Sequence, residues 1–157
     1  MTLDELVAIE EIRQLKARYF RFLDTKDWEG WANVFTEDAV LESPLTTAEP
    51  VHGRAAIVET FRSRLGDNVI TVHHGHSSEI TIIDQRTARG IWAMDDRQTI
   101  SNPANDGPNS KRGFGHYVES YRLDEDGEWR IAALRLVRLD VMTTYSRRDA
   151  DKTRFTP

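Results

Sequence analysis

The sequence predicts an α+β fold, with helices first and a run of long antiparallel strands after them. Three observations carry that prediction. Apolar residues recur every three or four positions up to about Leu65, and alternate with polar ones beyond Gly66. Short breaker-rich turns separate the alternating segments, as in a meander. The chain has 157 residues, enough for one domain with a full core. Helices that precede a meander pack together on one face of its sheet.

The first helix is expected from about Asp4 to Asp24. Leu6, Ile9, Ile12, Leu15, Tyr19, Phe22 and Leu23 form its apolar stripe, and Lys16, Arg18 and Arg21 fall mostly off it. Asp27 suits the N-cap of a short second helix that presents Trp28, Trp31, Val34 and Phe35. Ala39 to Glu42 reads as a short strand ended by Pro44. A third helix follows Gly53, burying Ile57, Val58, Phe61 and Leu65. The strands are Val69 to Asp84, Thr87 to Ser101, Gly113 to Leu123 and Trp129 to Met142. A polar turn spans Asn102 to Asn109. Residues 1–145 read as one domain and residues 146–157 as a charged tail.

Composition narrows the function. No cysteine is present, so thiolate metal sites and cysteine nucleophiles are excluded. A net charge of −5 argues against a nucleic-acid partner. No apolar run is long enough to span a membrane, and the start, with four acids in Met1–Glu11, does not read as a signal peptide. A cytoplasmic location is expected.

Several polar residues fall on apolar faces. Asp96 shares a strand face with Trp92 and Met94, while Asp95 looks outward with the arginines; a buried carboxylate needs a partner. Tyr19 lies in the helical stripe. Asp24, five residues on and about 140° away, belongs at the helix end, where a side chain can reach back. Each also has a purely structural reading: a core aromatic for Tyr19, a turn residue for Asp24, a satisfied pair for Asp96. Arg138 shares the face of Leu134 and Leu136, and an inward arginine needs a carboxylate or an anionic ligand. His116 and Tyr117 follow two glycines and suit either a pocket mouth or a sheet surface.

Val72-His73-His74-Gly75-His76 holds three of the five histidines. His74 and His76 share one face, a pair that begins a metal site if His116 supplies a third ligand. No fixed carboxylate spacing accompanies it, and a neutral histidine acting as a general base fits more easily. Simple alternation places His73 opposite Ile80 and Ile82. A β-bulge around Gly75 to Ser78 reverses that register and brings His73 inside.

The chain resembles the SnoaL-like branch of the nuclear-transport-factor-two-like superfamily from about Leu6 to Val141. The resemblance rests on Arg18-Tyr19-Phe20 through Asp24-Thr25-Lys26-Asp27-Trp28, Val34-Phe35-Thr36-Glu37-Asp38-Ala39-Val40, Gly53-Arg54-Ala55-Ala56-Ile57 and Gly127-Glu128-Trp129-Arg130-Ile131. Within that group it is most similar to bacterial bile acid 7α-dehydratases, on Gln14 to Arg21 with Leu23-Asp24, on His73 with Gly75-His76, and on Glu79-Ile80-Thr81-Ile82. Gly90, Trp92, Asp96 and Val137-Arg138 also match; the turn at Asn102–Asn109 and the tail do not.

The resemblance implies a cone-shaped α+β barrel, its curved sheet wrapped by helices around a deep pocket. It implies catalytic roles for Tyr19, Asp24, His73, Asp96 and Arg138, an Asp–His arrangement shared with scytalone dehydratases and lindane dehydrochlorinases. The implied chemistry is metal-free and cofactor-free proton abstraction or β-elimination on a hydrophobic, steroid-like or polyketide-derived substrate. Phe22, Trp92, Met94, His116 and Val118 are the expected substrate contacts. A ketosteroid-type isomerase using Asp96 as base, a polyketide cyclase and a non-catalytic ligand-binding module remain alternatives. The sheet's other face needs cover, and Ile91, Ala93, Tyr121 and Leu139 are expected to build a homodimer or homotrimer.

Overall fold

A computed structural model describes residues 1–44, 46–101 and 109–145. Most of the polar turn at 102–109 and the whole 146–157 tail lie outside these residues. The element order is α1 (Leu3–Thr25), α2 (Trp28–Ala32), β1 (Phe35–Glu42), β2 (Val51–His52), α3 (Arg54–Arg64), β3 (Val69–Ile82), β4 (Thr87–Ile100), β5 (Ser110–Leu123) and β6 (Trp129–Thr144).

Local chemistry fixes the helix ends. Thr2 accepts the Glu5 backbone N–H and the Glu5 carboxylate accepts that of Thr2, closing a capping box that starts α1. Lys26, at φ 59°, takes the left-handed conformation that stops it. Asp27 caps α2 by accepting the Gly30 N–H at 2.9 Å, as its position predicts.

The strands form one sheet in the order β2-β1-β6-β5-β4-β3. The β3–β6 meander is antiparallel, β1 joins β6 in parallel, and β2 closes on β1. The sheet is mixed, as expected, and stays open, with β2 and β3 as its edges. The expected strand at Ala39–Glu42 begins four residues earlier, because Phe35 already pairs with Ile131 before a register shift. The two-residue β2 carries too little pattern to be read from sequence.

One sheet face packs on α1. Ile12, Leu15, Tyr19 and Leu23 of the helix meet Trp92, Met94, Tyr117, Tyr121, Leu134 and Leu136 in a continuous buried cluster. Leu6 does not join it and stands 49% exposed. Lys16 departs furthest from the sequence reading, since it is wholly buried. Its place four residues after Ile12 and three before Tyr19 puts it in the middle of the stripe.

The β3 register decides where His73 points. His76 pairs with Ala93 and Glu79 with Ile91, so Ser77 and Ser78 stand opposite Trp92 alone. This is a β-bulge, with Ser77 at φ 45°. It shifts the alternation by one, so Val69, Thr71 and His73 face inward before it and Ile80 and Ile82 after it. Among the described residues, no helix is long and apolar enough to cross a membrane.

Candidate active site

The end of α1 and the inward faces of β3, β4 and β6 meet at one cluster. Asp24 sits in the last turn of α1 and reaches β3. Its Oδ2 accepts the His73 backbone N–H at 2.9 Å, and its Oδ1 accepts the Thr71 hydroxyl at 2.8 Å. The same Oδ1 lies 2.6 Å from His73 Nδ1. A carboxylate only accepts, so in the neutral ring this contact assigns the proton to Nδ1 and leaves the Nε2 lone pair free. Three donors from one strand therefore hold Asp24, and Asp24 holds the imidazole.

Asp96 is the other carboxylate. Its Oδ2 is 3.9 Å from His73 Nε2, beyond hydrogen-bond reach. It is engaged instead by Arg138, whose Nη1 and Nη2 donate to Oδ1 and Oδ2 at 2.7 and 2.5 Å. Burial would lower the Arg138 pKa, but hydrogen bonds and charge from Asp96 outweigh it, and the guanidinium is held above its usual value. Gly113 leaves the room for this fork, because a Cβ there would stand 2.7 Å from Asp96 Oδ1 and overlap the guanidinium. Asp24 is thus the partner of His73, and Asp96 the partner of Arg138.

His73, Asp96 and Arg138 line a pocket with Tyr19, Tyr117 and Gln98, walled by Leu23, Leu41, Phe61, Leu65, Leu134 and Leu136, while Asp24 stands behind His73. Ser43, Thr46 and Arg64 complete the lining, and the Arg64 guanidinium donates to the Thr46 carbonyl. The cavity volume is about 40 Å³. One water needs roughly 10–15 Å³ on this scale and a benzene ring about 150 Å³, so the enclosed space holds about three to four waters. Burial, reinforced by the charges of Glu119, Asp24 and Asp96, raises the Tyr19 pKa far above its ordinary value. Burial also leads the causes that raise Tyr117. Both phenols stay protonated and available as hydrogen-bond donors.

All five residues expected to be catalytic come together here. None of the five expected substrate contacts lines the pocket. Phe22 lies on the flank of α1, over Gly30 and under Arg21. Trp92 is a core residue whose Nε1 donates to the Tyr121 hydroxyl at 2.8 Å. Met94 is buried beside Arg138, its sulfur 4.0 Å from Nη1. His116 and Val118 alternate with the inward Gly115, Tyr117 and Glu119 and so belong to the outer face. Tyr121, expected outside, is 1% exposed and points in.

Behind the pocket lies a second buried polar group that sequence reading missed. Lys16 and Glu119 form an ion pair with both side chains fully buried. The Lys16 ammonium sits 3.7 Å from the Tyr117 ring centroid and 4.0 Å from that of Tyr19. Tyr121 donates to Glu119, completing a chain from Trp92. Burial lowers the Lys16 pKa, and Glu119 offsets part of that. The signal was available, because Glu119 alternates with Tyr117 and Tyr121 on the inward face.

On the outer face, the third group beside His74 and His76 is Asp95, not His116. His116 is registered with Ala93, which lies between it and His76.

Residues 4–135 match the model of a family described as a SnoaL-like domain. A crystal structure assigned as a scytalone dehydratase from Novosphingobium aromaticivorans superposes with TM-score 0.80 at 20% identity, covering 94% of both chains. A hexachlorocyclohexane dehydrochlorinase of Novosphingobium barchaimii gives TM-score 0.77 at 15% identity, over 99% of this chain and 98% of that one. At these identities the likeness is one of fold. Among curated proteins, the toluate 1,2-dioxygenase subunit beta of Pseudomonas putida is 32% identical over 91 residues. That match takes in 54% of this chain and spans little more than half of the subunit, 56% of its length.

Proposed function

The chain belongs to the SnoaL-like domain family, and we propose that it is a cofactor-free dehydratase acting on a hydrophobic ring compound with a hydroxyl β to a carbonyl. The observation that carries this reading is the Asp24–His73 pair, in which Asp24 takes up Nδ1 of a ring that lines the pocket and so leaves Nε2 for the substrate. Nε2 takes the proton from the carbon beside the carbonyl, and Asp24 stabilises the imidazolium that forms. The C–H electrons pass into an enolate whose oxygen accepts hydrogen bonds from the Tyr19 and Tyr117 hydroxyls. The imidazolium returns the proton to the β-hydroxyl, the C–O bond breaks, and water leaves as the double bond forms. A general acid–base role of this kind is worth about 10²–10⁴ in rate.

The Asp96–Arg138 fork shapes the polar end of the pocket. Both carboxylate oxygens of Asp96 are taken up by the Arg138 guanidinium, which argues against the isomerase alternative. Leucine-lined walls suit an apolar substrate. The enclosed space, about 40 Å³, takes the reacting end of a substrate rather than an entire steroid nucleus. Exposed Ile91, Val118, Leu139 and Met142 on the outer face support assembly into a homodimer or homotrimer. A cytoplasmic location is part of the same reading.

A non-catalytic role as one subunit of a larger enzyme is the second reading, favoured by the partial match to a dioxygenase β subunit. A thermal-shift screen of aromatic polyketides and steroid enones, followed by mass spectrometry of each stabilising compound, separates the two. Loss of one water from the ligand supports the dehydratase. Stabilisation without any change of mass or any exchange of solvent deuterium into the ligand refutes it.

A further inference from the structure

The side chains that face away from the pocket on the same two strands make a second constellation. His74 and His76 project from β3 on the outer face, and Asp95 lies across from them on β4, where His74 and Asp95 are register partners. Asp95 Oδ1 is 2.8 Å from His76 Nε2 and 3.4 Å from His74 Nδ1, and the three donor atoms lie within 4.8 Å of one another. Their side chains are 54%, 56% and 28% exposed, so ions reach them directly.

We propose that His74, His76 and Asp95 form a binding site for a divalent transition ion of the zinc type. Two imidazoles and one carboxylate are a donor set suited to zinc, copper or nickel rather than to magnesium or calcium. Zinc bonds of about 2.0–2.2 Å place neighbouring tetrahedral ligand atoms roughly 3.4 Å apart. The His74–Asp95 contact already matches that edge, the His76–Asp95 contact is shorter by about 0.6 Å, and rotation of the exposed rings adjusts the rest. The strand pairing supplies the rest of the order, because the i, i+2 spacing and the register fix all three Cβ positions. Three protein ligands leave a fourth position open. His74 and Asp95 also line a groove with Arg97 and Arg112, whose charge lowers affinity for a bare cation and favours an anionic fourth ligand.

The placement has a consequence for the pocket. His73 and His74 are adjacent on β3, Asp95 and Asp96 on β4, and the pair His73–Asp96 neighbours the pair His74–Asp95 in the register. An ion on the outer face therefore staples the two strands at the level where the inner face holds His73 and Asp96.

Titration of tag-free protein with Zn²⁺ alone, by calorimetry near neutral pH, tests the site. The expected result is one saturable Zn²⁺ per chain and a melting temperature that rises with Zn²⁺ concentration. Loss of a mere outer-shell partner costs metal sites about 10–100-fold, so His74→Gln/His76→Gln or Asp95→Asn should weaken binding at least about tenfold. These positions are exposed, and circular dichroism confirms that the variants fold. His116→Gln should bind as the parent does. Absence of saturable binding, binding retained by both variants, or an equal loss in His116→Gln would each overturn the proposal.

Discussion

Replacing Lys16 by methionine leaves the Glu119 carboxylate buried at the back of the pocket with the Tyr121 hydroxyl as its hydrogen-bond donor. Both partners of the pair have no solvent exposure, so the orphaned charge keeps almost none of its hydration. Breaking one side of a buried pair costs about 3–5 kcal/mol. A domain of this size loses roughly 2–4 °C per kcal/mol, so the melting temperature should fall by about 6–20 °C. Lys16→Met/Glu119→Gln removes both charges and keeps an acceptor for Tyr121. The thioether also packs well against the rings of Tyr19, Phe20 and Tyr117 that now face the ammonium. Buried pairs replaced together by neutral groups are often close to neutral in stability, so the double variant should recover most of the loss. Urea unfolding of the parent, both single variants and the double variant gives the coupling energy directly. A single-variant loss below about 1 kcal/mol, or a double variant no better than the sum of the singles, would refute the reasoning.

Other expectations follow from the site and its supports. Asp24→Asn removes the negative charge and one of the two accepting oxygens that fix the imidazole and its tautomer; turnover should fall about 10²–10⁴-fold while the fold, checked by circular dichroism, survives. Gly113→Ala pushes a methyl into the Asp96–Arg138 fork, at about 1–3 kcal/mol for overpacking, and a crystal structure should show the two side chains displaced. On the acid side, hydrogen bonds from Arg122 depress Asp38 to about 2, and those from Arg130 depress Asp126 to about 2. Their contribution is present above the unfolded value near 3.8 and is lost as pH falls through about 2. Both carboxylates are exposed and screened, so the urea midpoint of Arg122→Met should differ little from that of the parent at pH 7 and converge with it below about pH 2.

How far the sequence could be read depended on which forces act locally. Helical periodicity, the Asp27 cap and the alternation of β4 are set by neighbouring residues, and they gave α1, α2 and the inward Asp96 directly. The inward His73 needed one further fact, the bulge at Ser77–Ser78. Two adjacent serines permit a bulge without requiring one; the pairing with β4 decides it. The choice between Asp24 and Asp96 as the partner of His73 was closed to sequence reasoning, because the helix end and two strands must first be placed in three dimensions. The expected pocket walls missed for the same reason. Trp92 and Met94 do face inward as alternation requires, but inward at their level of the sheet means the core beneath α1. Lys16 reads as lying mostly off the apolar stripe because a lone ammonium is costly to bury; only the fold brings Glu119 from β5 to meet it.

The central claim is that His73 removes a proton, and isotope exchange tests it most directly. A compound from the thermal-shift screen, incubated in deuterium oxide with the parent protein and with His73→Ala, is read by mass spectrometry over time. The account predicts dehydration by the parent, and a rate at least about 10²-fold lower in a folded His73→Ala protein. Equal rates in the two proteins would contradict it, whatever the substrate turns out to be.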